Sequence, residues 1–185
     1  LDPDSVDVMQ EAARLHFMLK RYDKAAASWD RYATLVETDI ASGGLLITCY
    51  TALGDRANVE RVAQRTMARA EKAVATDADN GSAMATIFSC LLCLGEAERA
   101  KEWARRAVLI DPDNLGMRYN LACDFVVAVH DHDMALEMLR PVCRNSGHEQ
   151  IAWIAADPDM DPLRDDPRFK ELVAEAEARL ATAQP

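Results

Sequence analysis

The sequence predicts an all-α chain of helical hairpins, and three observations lead there. Half of its 185 residues are apolar, while Gly and Pro number seven each, a balance that favours helices over sheet or a disordered chain. Two segments, Ile40 to Gly54 and Gly81 to Gly95, carry no charge at all, and a charged stretch with apolar residues at helical spacing follows each one. Gly, Asp, Asn and Pro then fall where such helices would begin and end.

The stretch from Gly81 to Asn114 shows the pattern most fully. An uncharged helix ends at Gly95, where a left-handed residue is needed, and Glu96 to Glu98 place negative charge at the start of the next helix. Pro112 forbids continuation past Asp111. Ala97, Ala100, Ala104 and Ala107 recur at three and four, so a neighbouring helix can approach that face closely.

The other elements follow in order. The opening Leu1-Asp2-Pro3-Asp4 reads like the end of a hairpin, as Ile110 to Asp113 does later, so the chain is expected to be cut from a longer protein. A first hairpin runs over about 6–39, with Met9, Ala13 and His16 on its first helix and Tyr22, Ala25 and Trp29 on its second. A second covers 40–80, turns at Gly54-Asp55 and ends at Asp77 to Asn80. It carries about two helical turns more than the next hairpin, and Val59, Val62, Ala63, Met67, Ala70 and Val74 place them at the start of its second helix. The third hairpin is 81–114. A fourth, over 115–149, has Tyr119, Leu121, Ala122, Phe125 and Val129 on one helix and Ala135 and Leu139 on the other; Pro141 should end or kink it near Leu139 or Arg140. Residues 150–185 form a linker and a cap: a short helix at Gln150 to Ala155, then Asp166 as N-cap, Pro167, and Phe169, Leu172, Val173, Ala176 and Leu180 on one face.

Charge and cysteine usage exclude several classes. Lys and Arg total 21 against 31 Asp and Glu, a formal net charge of −10, so nucleic acid and anionic membranes are not expected partners. Cys49, Cys90, Cys93, Cys123 and Cys143 are odd in number and sit in apolar helix patterns, which fits reduced thiols in the cytoplasm. The uncharged segments are too short to span a membrane, and no signal peptide is visible at Leu1.

Four motifs invite chemistry. His130-Asp131-His132-Asp133 offers imidazoles and carboxylates for a metal, as in helical phosphohydrolases of the HD type, but only His16 and His148 remain as further His ligands and the register sets this run in a solvated turn. Asp157-Pro158-Asp159-Met160-Asp161 alternates carboxylates like a calcium loop, yet Pro162 and Arg168 stand where that loop needs Gly and Glu; a structured acidic connector is the preferred reading. Cys90-Leu91-Leu92-Cys93 has CxxC spacing inside an apolar helix and no second ligand pair, so both are read as packing residues. Trp29, Trp103 and Trp153 are likewise read as packing aromatics. No catalytic, cofactor-binding or metal-ligating residue is assigned.

The hairpin of Gly81 to Asn114, with its alanines and terminal Pro112, resembles a tetratricopeptide (TPR) repeat, although Met84 and Leu91 stand where that family has Trp and Tyr. The resemblance covers nearly the whole chain and implies a right-handed α-solenoid of about four hairpins with a C-terminal capping helix, acting as a protein-binding or domain-coupling module rather than an enzyme. Asn120-Leu121-Ala122-Cys123, Trp153 and the run from Asp157 to Val173 further resemble the C-terminal TPR regions of bacterial multidomain regulators, where such regions follow class III adenylate or guanylate cyclase domains. An HD-like hydrolase on His130 and Asp131 and a purely structural dimerisation segment are the alternatives.

Carried over in register, the family's concave groove includes Arg14, Phe17 and Met18, then Thr48 and Thr51, then Ala85, Ser89 and Leu92, then Tyr119, Cys123 and Val126. Arg14 alone is basic, whereas family members that grip acidic C-terminal tails use several basic side chains here. The resemblance therefore implies an apolar protein segment as partner, from the parent protein or a second copy, or a groove closed by curvature that binds nothing.

Overall fold

The computed structural model describes residues 5–182, so the segment Leu1 to Asp4, expected to end a preceding hairpin, lies outside the described residues. Ten α-helices, one π-helical turn and one 3-10 helix make up the regular structure, with no strand among the described residues. The chain divides into two compact units, Leu1–Trp103 and Ala104–Pro185, and the division falls inside one helix.

Unit 1 holds α1 (Val6–Met18), α2 (Tyr22–Leu35), α3 (Ala41–Ala52), α4 (Arg56–Thr76), α5 (Gly81–Cys93) and the start of α6 (Ala97–Ile110). From α1 to α5 each helix packs on the next. The turns after α1, α3 and α5 share one closure. Residues Lys20, Gly54 and Gly95 adopt positive φ, and their N–H groups bond three residues back to Phe17, Thr51 and Leu92 at 2.9–3.0 Å. The following N–H groups of Arg21, Asp55 and Glu96 reach five residues back to His16, Tyr50 and Leu91 at 2.8–2.9 Å, which is the Schellman pattern that satisfies the last carbonyls of a helix. At the starts, Asp55 accepts from the Asn58 N–H at 3.1 Å and Asn80 from that of Ala83 at 2.9 Å.

The core of unit 1 is built on Trp29, Leu46, Cys49, Val62 and Ala13, with Phe17 and Tyr22 set edge-on around it. A polar clamp joins three helices beside it. Asp30 of α2 accepts from the Tyr50 hydroxyl of α3 and from Arg61 and Arg65 of α4, at 2.6 and 3.0 Å for the two guanidinium contacts. Burial pushes the Asp30 carboxyl up, but the bonds from Arg61 and Tyr50, the Arg61 charge and the Arg65 bond outweigh it and hold the carboxyl below its ordinary value.

Helix α4 is one continuous helix of 21 residues, against 14 for α6, so the extra turns are helical. Their place differs from the expectation. A methyl group at Gly43 would overlap the Thr66 side chain, which sets the antiparallel register of α3 on α4 and brings the start of α3 level with about residue 68. The overhang is therefore at the C-terminal end of α4, not its start. There the Arg69 guanidinium donates to the carbonyls of Asp39 at 3.0 Å and Ala33 at 2.6 Å, and Ala70 and Val74 are buried. One long helix thus serves α3 with its first half and α5 with its second.

Unit 2 contains the end of α6, then α7 (Leu115–Asp124), the π-helical turn Phe125–Val129, α8 (His132–Asn145), α9 (His148–Ala156), the 3-10 helix Pro158–Leu163 and α10 (Pro167–Thr182). Fifteen positions separate Ser5 from Lys20 and Asn80 from Gly95, from N-cap to left-handed residue; sixteen separate Asn114 from His130. The π turn absorbs that extra residue, since its wider ring takes one more residue per closure. Accordingly the N–H of Asp131 reaches six residues back, to Phe125, at 2.9 Å.

His130 takes the left-handed position without being Gly, at φ 57 and ψ 33. Its Nδ1 lies 3.1 Å from the Val126 carbonyl and offsets part of the cost. His130→Gly is expected to raise stability by about 0.5 kcal/mol, because the Cβ penalty of the left-handed region exceeds the lost bond and the greater freedom of an unfolded Gly. Urea unfolding tests this, and a lower midpoint would contradict it.

Pro141 does not end α8, which continues to Asn145. Leu139, Val142 and Cys143 are buried on both sides of it, and Glu137, whose carbonyl loses its N–H partner, is on the exposed side. From α10, Arg179 donates to the carbonyls of Cys143 at 3.1 Å and Ser146 at 2.6 Å, closing the end that the Pro would otherwise weaken. Helix α10 packs on α8 and α9 and buries Phe169, Leu172, Ala176 and Leu180. Its start is held by Asp166, which accepts from the Arg168 N–H at 2.9 Å.

Candidate functional site

In unit 1, the first helices of the second and third hairpins, α3 and α5, present a face free of charged residues. Helix α3 leaves Gly44, Thr48 and Thr51 exposed and carries no charged residue, and α5 carries none either, with Ser89 and Leu92 half-buried. Three hydroxyls on these helices turn back on their own backbone: Thr48 donates to the Gly44 carbonyl at 3.1 Å, Thr86 to Ser82 at 3.0 Å and Ser89 to Ala85 at 3.3 Å. With these donors engaged, Thr48, Thr86 and Ser89 offer mainly carbon to a partner. On α1, Arg14 and Met18 are exposed, Met18 at 78%.

Not every residue expected in a groove reaches the surface. Ala85 and Val126 are buried, so neither can touch a ligand without rearrangement. Val126 turns inward because the π turn takes up the extra residue, and Val127 stands out in its place at 51% exposure. Phe17 lies against Tyr22 and Trp29, with ring centroids 5.7 and 5.6 Å away, which makes it the edge of the core.

In unit 2, Tyr119 and Cys123 are half-buried and already engaged. The Tyr119 hydroxyl donates to Asp157, a buried carboxylate whose other oxygen accepts from the Asp159 N–H at 2.9 Å and so caps the 3-10 helix. Burial first, and then the bond to Asp157, raise the Tyr119 hydroxyl. The Cys123 thiol is pushed up to about 12, by burial first; Tyr119 opposes this, and the carboxylates of Asp159, Asp157 and Asp124 add to it. Polar atoms of Cys123, Asp157 and Asp159 lie within 4.8 Å of one another. The acidic run is thus a structured connector: Arg164 fastens it by donating to the Ala155 carbonyl, to that of Asp157 at 3.0 Å and to Asp161 at 2.6 Å.

The His130-Asp131-His132-Asp133 run does not assemble a hydrolase centre. Asp131 caps α8 by accepting from the Met134 N–H at 3.1 Å, His130 faces the Val126 carbonyl, and Asp133 pairs with Arg168 at 2.7 Å. None of the four joins a converging group of His, Cys or carboxylate ligands among the described residues. Cys90 is buried and Cys93 half-buried within α5, and none of the five cysteines forms a disulfide.

Trp153 departs from its expected role. Trp29 is 1% exposed, but Trp153 is 59% exposed on α9. Helical spacing alone could not reveal this, because α9 is short and its polar and apolar sides alternate too few times to fix which one faces inward.

Taken together, the described residues define an all-α protein of helical hairpins with an uncharged face in one unit and an aromatic and acidic face in the other. No protein-family model matches the chain, and no curated protein does. Among solved structures, a crystal structure of MamA is similar at 14% identity over 77% of this chain and 79% of the MamA chain, with a TM-score of 0.47. A second crystal structure of MamA protein is similar at 14% identity over 85% of this chain and 79% of the other, with a TM-score of 0.45. No helix among the described residues is long and apolar enough to cross a membrane.

Proposed function

We propose that this chain is a non-catalytic protein-binding module of TPR type that takes an apolar segment on the first-helix face of unit 1. The uncharged surface of α3 and α5, with the hydroxyls of Thr48 and Ser89 bonded to their own backbone, is the observation that supports it. Such a surface gains little from a charged partner and gains by burying carbon. It lacks the basic side chains that would pair with an acidic C-terminal tail, Arg14 being the exception.

The resemblance of Asn120 to Cys123 and of Asp157 to Val173 to regulatory C-terminal regions supports a place beside a bacterial class III nucleotide cyclase, and the segment captured would then come from the parent protein or a second copy. Cysteines that form no disulfide, with the thiols of Cys49 and Cys143 pushed up to about 11 by burial, fit a reducing, cytoplasmic setting.

Selection from a displayed library of random dodecapeptides tests the reading. The expected peptides are apolar with little charge, and their binding is lost in Leu92→Asp and weakened in Thr48→Glu. Enrichment of acidic, salt-sensitive peptides, or binding unaffected by both substitutions, would overturn it.

A further inference from the structure

We propose that the cleft between α1 and α2 receives a helix of a partner protein, one that presents a bulky apolar side chain followed directly by a carboxylate. This rests on the reading of the chain as an interaction module, at a site that shares no residue with the α3 and α5 face.

Thirty-four positions separate Lys20 from Gly54 at the left-handed closures, and likewise Arg21 from Asp55 at the starts of α2 and α4, so places in the first two hairpins correspond one to one. Val8, Met9 and Ala12 of α1 and Ala27, Ser28 and Arg31 of α2 line a cleft of about 400 Å³. The corresponding residues of the second hairpin are Ser42, Gly43, Leu46, Arg61, Val62 and Arg65, and there a helix fills the place. Leu46 and Val62 share one core with Ala26 and Trp29 of α2, while Arg61 and Arg65 pair with Asp30 of α2 at 2.6 and 3.0 Å. What holds a helix bearing Trp-Asp in the second hairpin is thus a cleft in the first, where α1 packs principally on α2.

The lining of that cleft suits such a helix. Ala12 and Ser28 are smaller than Leu46 and Val62, which leaves room for a bulky side chain, and Leu15, Leu19 and Leu35 are exposed at the following turns of the two helices, where a docked helix would bury them. Arg31 stands in the place of Arg65, and a guanidinium with five donors can add a carboxylate to any bond it already makes. Lys24 is exposed one turn before Ser28, so α2 is the basic wall, whereas α1 carries Asp7 and Glu11. His16 and Ala27 stand where Tyr50 and Arg61 do, so a carboxylate here meets fewer donors than Asp30 has, and the apolar side chain is the main anchor. The chain's own pair is already spent, Trp29 being 1% exposed and Asp30 held by three donors, so a second copy offers it only by unfolding. The occupant is therefore a helix of another protein.

The test titrates the ¹⁵N-labelled chain with an unlabelled peptide of residues 21–36, acetylated and amidated, which carries the Trp-Asp pair in a helical sequence. Saturable shifts of the Val8, Ala12, Ser28 and Arg31 amide signals are expected. Changing Trp29 of the peptide to Ala should weaken binding by about tenfold or more, and changing its Asp30 to Lys by about threefold. Arg31→Glu in the chain should reverse the second preference, so that the Lys peptide binds better than the Asp peptide, which a mere loss of stability would not produce. Ala12→Glu should abolish binding and Leu92→Asp should leave it unchanged, with circular dichroism confirming that each variant is folded. The absence of a saturable shift at about 1 mM peptide would overturn the proposal. Equal binding of the peptide without its Trp, or an unchanged preference in Arg31→Glu, would do the same. Shifts centred on Leu46, Val62 and Arg65 would mean that the peptide displaces α2 from the second hairpin, and a mass that doubles with concentration unless Ala12→Glu is present would give the cleft to a second copy; either result overturns it. The α3 and α5 reading fails on a different result, the peptide selection that ignores Leu92→Asp.

Discussion

Truncation after Asp165 is expected to leave a protein whose unit 2 no longer folds cooperatively. Without α10, the burial of Phe169, Leu172 and Leu180 is lost, along with the α8 surface they cover. At about 2 kcal/mol for each large side chain, the loss is ~6 kcal/mol, comparable with the whole stability of a domain of this size. Two further ties disappear: the Arg179 contacts to the last carbonyls of α8, and the ion pair of Arg168 with Asp133 at the other end of that helix. The second tie is exposed and adds little, but the first closes a helix end already short of one hydrogen bond at Pro141. Gel filtration and thermal unfolding of the truncated chain should show aggregation, or a melting temperature lower by ten degrees or more, on the order expected for such a loss. A monodisperse protein with unchanged melting would show that α10 is dispensable.

Much of this fold can be read from the chain because most of its helices after the first hairpin announce their starts or ends. Gly54 and Gly95 occupy the left-handed closures, Asp55, Asn80, Asn114 and Asp131 cap the helices that follow, and Asp166 with Pro167 opens α10. What the chain conceals is register. The uncharged run to Gly54 and the long helix after it indicate two extra turns, but only the fit of Gly43 against Thr66 shows at which end they project. A one-residue excess between Asn114 and His130 is equally silent in the sequence, because Val126, Val127 and Val129 are all apolar and any of them could face inward. Pro141 was a strong signal overruled by packing, since Val142 and Cys143 beyond it are buried and Arg179 ties down the carbonyls of Cys143 and Ser146 at the end of the helix.

The candidate sites were less legible, for the same reason. Arg14, Met18, Thr48 and Thr51 lie on the surface where the periodicity of α1 and α3 puts them, but the π turn carried Val126 into the interior and Phe17 was drawn against Trp29. Asp157, Asp159 and Cys123 were each noticeable alone. Their convergence depends on Tyr119 and Asp157, which are 38 residues apart and meet only once the 3-10 helix after α9 has packed on the π turn after α7.

Deletion of Asn58 to Gln64 gives the sharpest test of that register. Seven residues are about two turns, so the helix after the deletion stays within ~20° of its original phase. Were the extra turns at the start of α4, the loss would cost little. With the overhang at the far end, the deletion slides Arg69 into the place of Val62, a fully buried member of the core around Trp29 and Leu46, and Ala73 into the place of Thr66 opposite Gly43. It also removes Arg61 from Asp30 and detaches Arg69 from the carbonyls of Ala33 and Asp39. An unpaired guanidinium in an apolar core costs several kcal/mol, enough by itself to unfold a marginal unit. The expected result is loss of the cooperative transition of unit 1, reported by the fluorescence of the buried Trp29. Adding Arg69→Val to the same deletion should recover part of the lost stability, because it restores an apolar side chain at the Val62 place without restoring any of the deleted residues. A deletion protein that melts like the intact chain, or one that Arg69→Val leaves no better, would return the extra turns to the start of the helix.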